Sequence, residues 1–203
     1  MRSIKWEWIK RTYELIGKVL SSYCEVQIMK TIVIYKSKTG FTKKYAEWIA
    51  EELSGDIFNV SKVTVSMLTE YDNIIFGGGL YAVGINGVKL ITQNIDRLKD
   101  KKLVVFATGA SPVRENIINE VRDKNFTQEQ QKYIKFFYLR GGFNYKKLNS
   151  FDKFLMTLLK WKIKNKKKEE LTNDEIGMLA VYDRPVDYTQ KGSLKDLISY
   201  VRE

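Results

Sequence analysis

Ser37-Lys38-Thr39-Gly40-Phe41-Thr42 sets three hydroxyl side chains around one glycine, where an apolar run stops and amphipathic sequence resumes. Backbone N–H groups at a helix start, with hydroxyls beside them, can surround the oxygens of one compact phosphate monoester, and the helix dipole favours its negative charge. The stretch is not a nucleoside-triphosphate loop, which needs G-x-x-x-x-G-K-[ST]; here no Gly-Lys-Ser/Thr follows Gly40. The dinucleotide pattern G-x-G-x-x-G is absent as well. A plainer reading stays open, in which Thr39 or Thr42 simply caps the helix that follows.

Composition narrows the chemistry further. The chain has 203 residues and no histidine, which removes the usual general base, the usual metal ligand and every Ser-His or Cys-His arrangement. The single Cys24 can form neither an internal disulfide nor a thiolate metal cluster and fits a reducing cytosol. Redox or transfer chemistry is therefore expected to belong to a bound cofactor, and no catalytic side chain is assigned. Lys and Arg outnumber Asp and Glu by 35 to 24, a formal charge of +11, which points to an anionic surface, an acidic partner or nucleic acid. The longest apolar runs fall short of the ~20 residues of a membrane-spanning helix. The basic N-terminus lacks the apolar core of a signal peptide. The expected location is cytoplasmic, with peripheral attachment to the inner face of the cell membrane as an option.

These residues need elements to hold them. Residues 1–28 show helical apolar spacing at Trp8/Ile9, Thr12/Tyr13, Leu15/Ile16 and Val19/Leu20 among basic residues, which predicts an amphipathic helix. Met29-Lys30 opens the first strand as a natural start would, so this segment is either an accessory helix or a start-site artefact. From there the pattern alternates. Strands are predicted at Thr31–Tyr35, Asp56–Val60, Asn73–Phe76, Leu103–Ala107 and Lys135–Leu139. Helices are predicted at Thr42–Leu53, Val88–Leu98 and Val113–Lys124, with a turn or two near Gln128–Tyr133 and a closing helix through Val201 capped by Ser193. Alternating strands and helices call for an α/β fold: a doubly wound, five-stranded parallel sheet with helices on both faces.

Ligands of such sheets sit beyond the carboxyl ends of the strands, where the strand order reverses. With order 2-1-3-4-5, strands one, three and four meet there, and their ends have unusual composition. The first ends in Ser37–Thr42, the third in Gly77-Gly78-Gly79-Leu80-Tyr81 and on to Gly87, and the fourth in Thr108-Gly109-Ala110-Ser111-Pro112. Glycine-dense loops allow close approach to a flat ring, and Tyr81 can stack on one.

On these residues, 29–203 resembles the flavodoxin superfamily, whose first loop is a [ST]-x-[ST]-G-x-[ST] turn. It is similar in particular to the branch containing the menaquinone-dependent protoporphyrinogen oxidases. The branch-level likeness lies in Gly141-Gly142-Phe143-Asn144-Tyr145 and Phe151-Asp152-Lys153-Phe154-Leu155-Met156. The resemblance implies FMN as cofactor, with its phosphate held by Ser37, Lys38, Thr39, Gly40, Phe41 and Thr42. It places Gly79, Leu80, Tyr81 and Ala82 along one face or edge of the ring and Thr108, Gly109 and Ala110 along its pyrimidine side. It implies a porphyrinogen as the small-molecule substrate and a quinone as acceptor. Electron-carrier flavodoxins place an aromatic in each ring loop, and Thr108–Val113 has none, which leaves room for a substrate.

The insert 150–170 is a basic helical extension. Phe151, Phe154, Leu155, Leu158 and Leu159 fall on one helical stripe, and Lys160, Trp161, Lys162, Lys164, Lys166, Lys167 and Lys168 crowd its end. A cationic helix carrying Trp can lie in an anionic membrane interface or meet an acidic partner protein. The alternative is a stripe packed on the sheet with a solvated lysine tail. Nucleic acid is not expected, since the lysines lack interleaved stacking aromatics. Three functions follow: an FMN-dependent oxidoreductase, a non-catalytic flavodoxin-like electron carrier, or a flavin-free module that binds a membrane or partner.

Overall fold

The computed structural model describes residues 11–15, 29–81, 83–182 and 184–203. Residues 11–15 are helical; the rest of the N-terminal helix expected over 1–28 lies outside the described residues, as do Ala82 and the side chain of Lys168.

Strand β1 (Thr31–Lys36) is a β-branched run whose first four residues are buried, as a parallel strand covered on both faces requires. It pairs in parallel with β2 (Asp56–Asn59) and β3 (Asn73–Tyr81), and β3 pairs in parallel with β5 (Lys102–Gly109), which pairs in parallel with β6 (Ile134–Arg140). The resulting order, β2-β1-β3-β5-β6, is the doubly wound arrangement expected. A short β4 (Gly84–Ile85) folds back antiparallel on the end of β3. Side chains alternate along each strand, so Ile32, Ile34, Ile74 and Phe76 enter one core while Val33, Ile75, Val104 and Phe106 enter the other. Helix α1 (Phe41–Leu53) closes the second core with Tyr45 and Ile49, and α5 (Lys195–Arg202) joins it through Leu197 and Val201. Helix α2 (Glu115–Asn125) covers the first core with Val121.

After β6 the chain makes an excursion. It leaves through β7 (Gly142–Phe143), forms helices α3 (Ser150–Lys164) and α4 (Asn173–Tyr182), and returns through β8 (Val186–Asp187), which pairs antiparallel with β7. This ladder pins both ends of the excursion beside the sheet before α5 completes the fold.

Three expectations are corrected. The glycines Gly77–Gly79 are not a loop but the middle of β3, all three in register with β5 and the first two with β1 as well. Packing demands them: a Cβ at Gly77 would lie 2.1 Å from the Phe106 ring, and one at Gly78 would lie 2.4 Å from Ile85. The helix expected over Val88–Leu98 is two single turns, Lys89–Thr92 and Ile95–Leu98. Asn94 breaks it by donating its amide to Leu90 O at 3.0 Å. Ser193 does not cap the closing helix; it lies within the tight turn Lys191–Leu194, and α5 begins without a side-chain cap.

Candidate functional site

The first loop is built for an oxygen-rich group. Gly40 sits at the N-cap of α1 with φ 100°, a left-handed conformation that favours glycine. No side chain caps this helix, so neither Thr39 nor Thr42 plays the capping role. The first helical bond runs from Lys44 N–H to Gly40 O at 3.0 Å, which leaves the preceding N–H groups of the first turn without a helical partner. Gly40 N–H donates to Ser37 Oγ at 3.1 Å and holds the turn closed.

Thr42 is buried, and its hydroxyl meets that of Thr108 at 2.7 Å. One of the two must donate to the other, so the acceptor's own proton is left for a third group. Gly79 keeps this pair open: a Cβ there would lie 3.3 Å from Thr42 Oγ1 and 3.9 Å from Thr108 Oγ1. The ends of β1, β3 and β5 thus meet at one point. Lys38, Thr39, Phe41 and Thr42 line a cavity of about 620 Å³ together with Gly79, Leu80, Tyr81, Thr108, Gly109 and Ala110. Among the residues assigned from sequence, Ser37 and Gly40 shape the turn behind this wall.

The excursion supplies the opposite wall, which sequence reasoning left out of the site. Gly141, Gly142, Phe143, Asn144 and Leu148 line the cavity, as do Asp152, Leu155, Met156 and Leu159 of α3 and Met178 of α4. Close packing locks the junction: a Cβ at Gly142 would meet Val186 O at 2.2 Å and the Phe41 ring at 2.7 Å. Asn149 caps α3 by accepting from Asp152 N–H at 2.8 Å, which aims Asp152 back toward the first loop. There its carboxylate lies 2.6 Å from Lys38 Nζ, and the same ammonium stands 5.0 Å from the Tyr81 ring centre. Tyr138, on β6, also lines the cavity and donates its hydroxyl to Ser111 O at 3.0 Å, fixing the loop after β5. The signal for this wall was present in Gly141–Tyr145, a run that resembled the branch without being assigned contacts.

Helix α3 has two apolar sides rather than one. Leu155 and Met156 line the cavity, Leu159 lies at its rim and is partly exposed, and Phe151, Phe154, Leu158 and Trp161 stand exposed, Trp161 at 67%. The stripe therefore does not pack on the sheet. The lysines are not uniform either. Lys160 Nζ lies 3.7 Å from the Tyr182 ring centre and Lys166 pairs with Glu175 at 2.6 Å, while Lys162, Lys164 and Lys167 are exposed. Behind α3, Tyr145 hydrogen-bonds with Thr157 at 3.0 Å; that bond, another with Tyr182, and the charges of Lys153 and Lys160 hold its phenol below the ordinary range.

A second hollow, of about 470 Å³, lies at Glu52, Lys191 and Arg202, where the charged groups already pair with one another. Among the described residues there is no cluster of metal-ligating side chains, and no helix is long and apolar enough to cross a membrane.

Residues 32–170 match the family model described as a flavodoxin domain. An uncharacterized protein of Methanocaldococcus jannaschii is 36% identical over 100 residues, which make up 47% of this chain and 65% of that relative, just under two thirds of its length. A flavoprotein in complex with FMN from Lactobacillus acidophilus is 19% identical with a TM-score of 0.38, over 55% of this chain and 92% of that one. The Trp repressor binding protein of Bacillus subtilis is 17% identical with a TM-score of 0.43, over 57% and 85% of the two chains. The domain match supports FMN as the cofactor. The site's features fit that group: an uncapped helix start, a hydroxyl pair left open by Gly79, and a half-exposed aromatic, Tyr81, on the cavity wall. With well over half of its length matched to that domain, the chain belongs to the flavodoxin domain family.

Proposed function

We propose that this protein is an FMN-dependent oxidoreductase that oxidises a small molecule in the cavity between the strand ends and helix α3. The observation that carries this reading is the two-walled cavity, one wall made by β1, β3 and β5 and the other by the excursion. When bound, FMN supplies two-electron redox chemistry. The chain's own work is to bind and orient. Ser37–Thr42 would offer N–H and hydroxyl donors to the phosphate, Tyr81 would be placed to stack on the ring, and the partly buried Leu155 and Met156 would present an apolar surface to the substrate. A pure electron carrier has no need of that second wall.

The specific reaction we favour is oxidation of a porphyrinogen with a quinone as acceptor. Its support is the likeness of Gly141–Tyr145 and Phe151–Met156 to the protoporphyrinogen oxidase branch, together with the position of both segments on the cavity wall. The test is anaerobic turnover of protoporphyrinogen by the FMN-loaded protein with and without a naphthoquinone. Quinone-dependent formation of the porphyrin supports it; FMN-loaded protein without turnover removes this substrate. The exposed Phe151, Phe154, Leu158 and Trp161, bordered by Lys162 and Lys164, favour attachment of the same enzyme to an anionic membrane surface.

A further inference from the structure

The excursion brings to the cavity two oxygen acceptors that nothing among the described residues satisfies. Asp152 is 3% exposed; its Oδ2 accepts from Lys38 Nζ at 2.6 Å, and its Oδ1 is buried without a hydrogen-bond partner. Asn144 Oδ1 is buried and without a partner too. Both residues line the cavity, with apolar Leu148, Leu155 and Met156 around them. A buried acceptor without a donor is destabilising, most of all on a carboxylate, so its retention on a cavity wall needs a reason. The terminal torsion of Asp152 is soft and only one oxygen is pinned, so a small turn presents Oδ1 to a guest.

We propose that this wall is a substrate subsite for an apolar molecule that presents N–H or O–H donors to Asp152 and Asn144. The inference rests on the oxidoreductase reading above and names what its substrate must carry. An anionic group is disfavoured at this wall, because both free atoms are acceptors and the nearby Lys38 ammonium is already held by Asp152. The cofactor's phosphate belongs to the other wall, at the first turn of α1. The guest's hydrogen-bearing groups therefore face the excursion while its apolar body lies against Leu155 and Met156. Such a wall selects a hydrogen-rich reductant over its oxidised form, whose lone pairs would meet those of Asp152.

The test uses indole, which carries one N–H donor on an apolar body, and 1-methylindole, which has lost it. Both are titrated calorimetrically into the full chain, with and without FMN. Indole is expected to bind about tenfold tighter or more than 1-methylindole. Asp152→Asn keeps its oxygen on Lys38 and turns an NH₂ toward the cavity, so the preference should vanish; Asn144→Leu, which leaves the ion pair alone, should weaken it independently. Equal binding of the two probes to the wild-type protein overturns the proposal. So does a loss of FMN affinity in both variants with the probe preference intact, which would give the two acceptors to the cofactor's own hydroxyls. FMN uptake is read by absorbance in the same samples. Wild-type protein that takes up no FMN sinks the cofactor reading, and the indole preference of that FMN-free protein still decides the subsite.

Discussion

The Lys38 ammonium lies 2.6 Å from the Asp152 carboxylate and thereby ties the first loop to helix α3 across 114 residues of sequence. The two ends differ in exposure, 41% for the lysine side chain and 4% for the aspartate. Removing the lysine alone strands a buried charge. Lys38→Met should therefore destabilise the protein by about 1–3 kcal/mol, between the values for an exposed and a fully buried pair because the lysine is partly solvated. Adding Asp152→Leu should recover most of that loss. Urea unfolding of the single and double variants checks both; an unaffected single variant would mean that the pair does not tether the excursion.

Thr39 stands just before the N-cap of α1 and Thr42 in its first turn, Thr42 with its hydroxyl already engaged by Thr108. Changing both to Ala should weaken FMN binding about a hundredfold or more, since charge-assisted bonds to the phosphate contribute about 1.5–3 kcal/mol each. Fluorescence titration with FMN measures this, and unchanged affinity would move the phosphate elsewhere.

Two glycines should respond in opposite directions. A Cβ at Gly142 would meet Val186 O at 2.2 Å, so Gly142→Ala should cost about 2 kcal/mol or more and loosen the β7–β8 ladder. Gly177 lies within α4 with nothing near its missing Cβ, and Gly177→Ala should add about 0.5–1 kcal/mol. Denaturation midpoints of the two variants give the answer.

Tyr71 donates its hydroxyl to Asp56 at 2.7 Å, and that bond, followed by burial, pushes its phenol from 10.0 up to about 12. The folded form thus keeps a proton that the unfolded form loses. Its stabilising contribution is complete below about pH 10 and disappears as pH rises to about 12. Between those values the stability of the wild-type protein should fall more steeply than that of Tyr71→Phe. Parallel slopes in alkaline urea titrations would contradict the assignment.

Lys162, Lys164 and Lys167 are exposed near Trp161. Changing all three to Gln should lower cosedimentation with phosphatidylserine vesicles at least tenfold, at about 1 kcal/mol per charge, and leave FMN content unchanged. Phe154→Ser with Trp161→Ser should do the same through lost apolar insertion. Vesicle binding that survives both sets would place the anchor elsewhere.

The parts of this protein that were legible in the sequence are those governed by local pattern. The β-branched run at Thr31–Tyr35, the hydroxyl-glycine turn after it and the alternation of strand and helix led to the observed sheet order. Gly77–Gly79 misled because glycine has low strand propensity, whereas the deciding fact is the Phe106 ring lying over Gly77 from a neighbouring strand. Asp152 was hidden for a related reason. In sequence it is one more acid beside lysines, and only the return of α3 over the first loop buries it. The stripe on α3 was correctly helical, but periodicity alone could not tell that the cavity takes Leu155 and Leu159 while Phe151, Phe154 and Leu158 remain outside.

The most direct test of the central claim is a paired titration of the flavin-free protein with FMN and with riboflavin, followed by removal of excess ligand and a visible spectrum. A site made by Ser37–Thr42 around a phosphate should retain FMN, with a structured flavin band, and release riboflavin. Retention of neither, or of both equally, would contradict it.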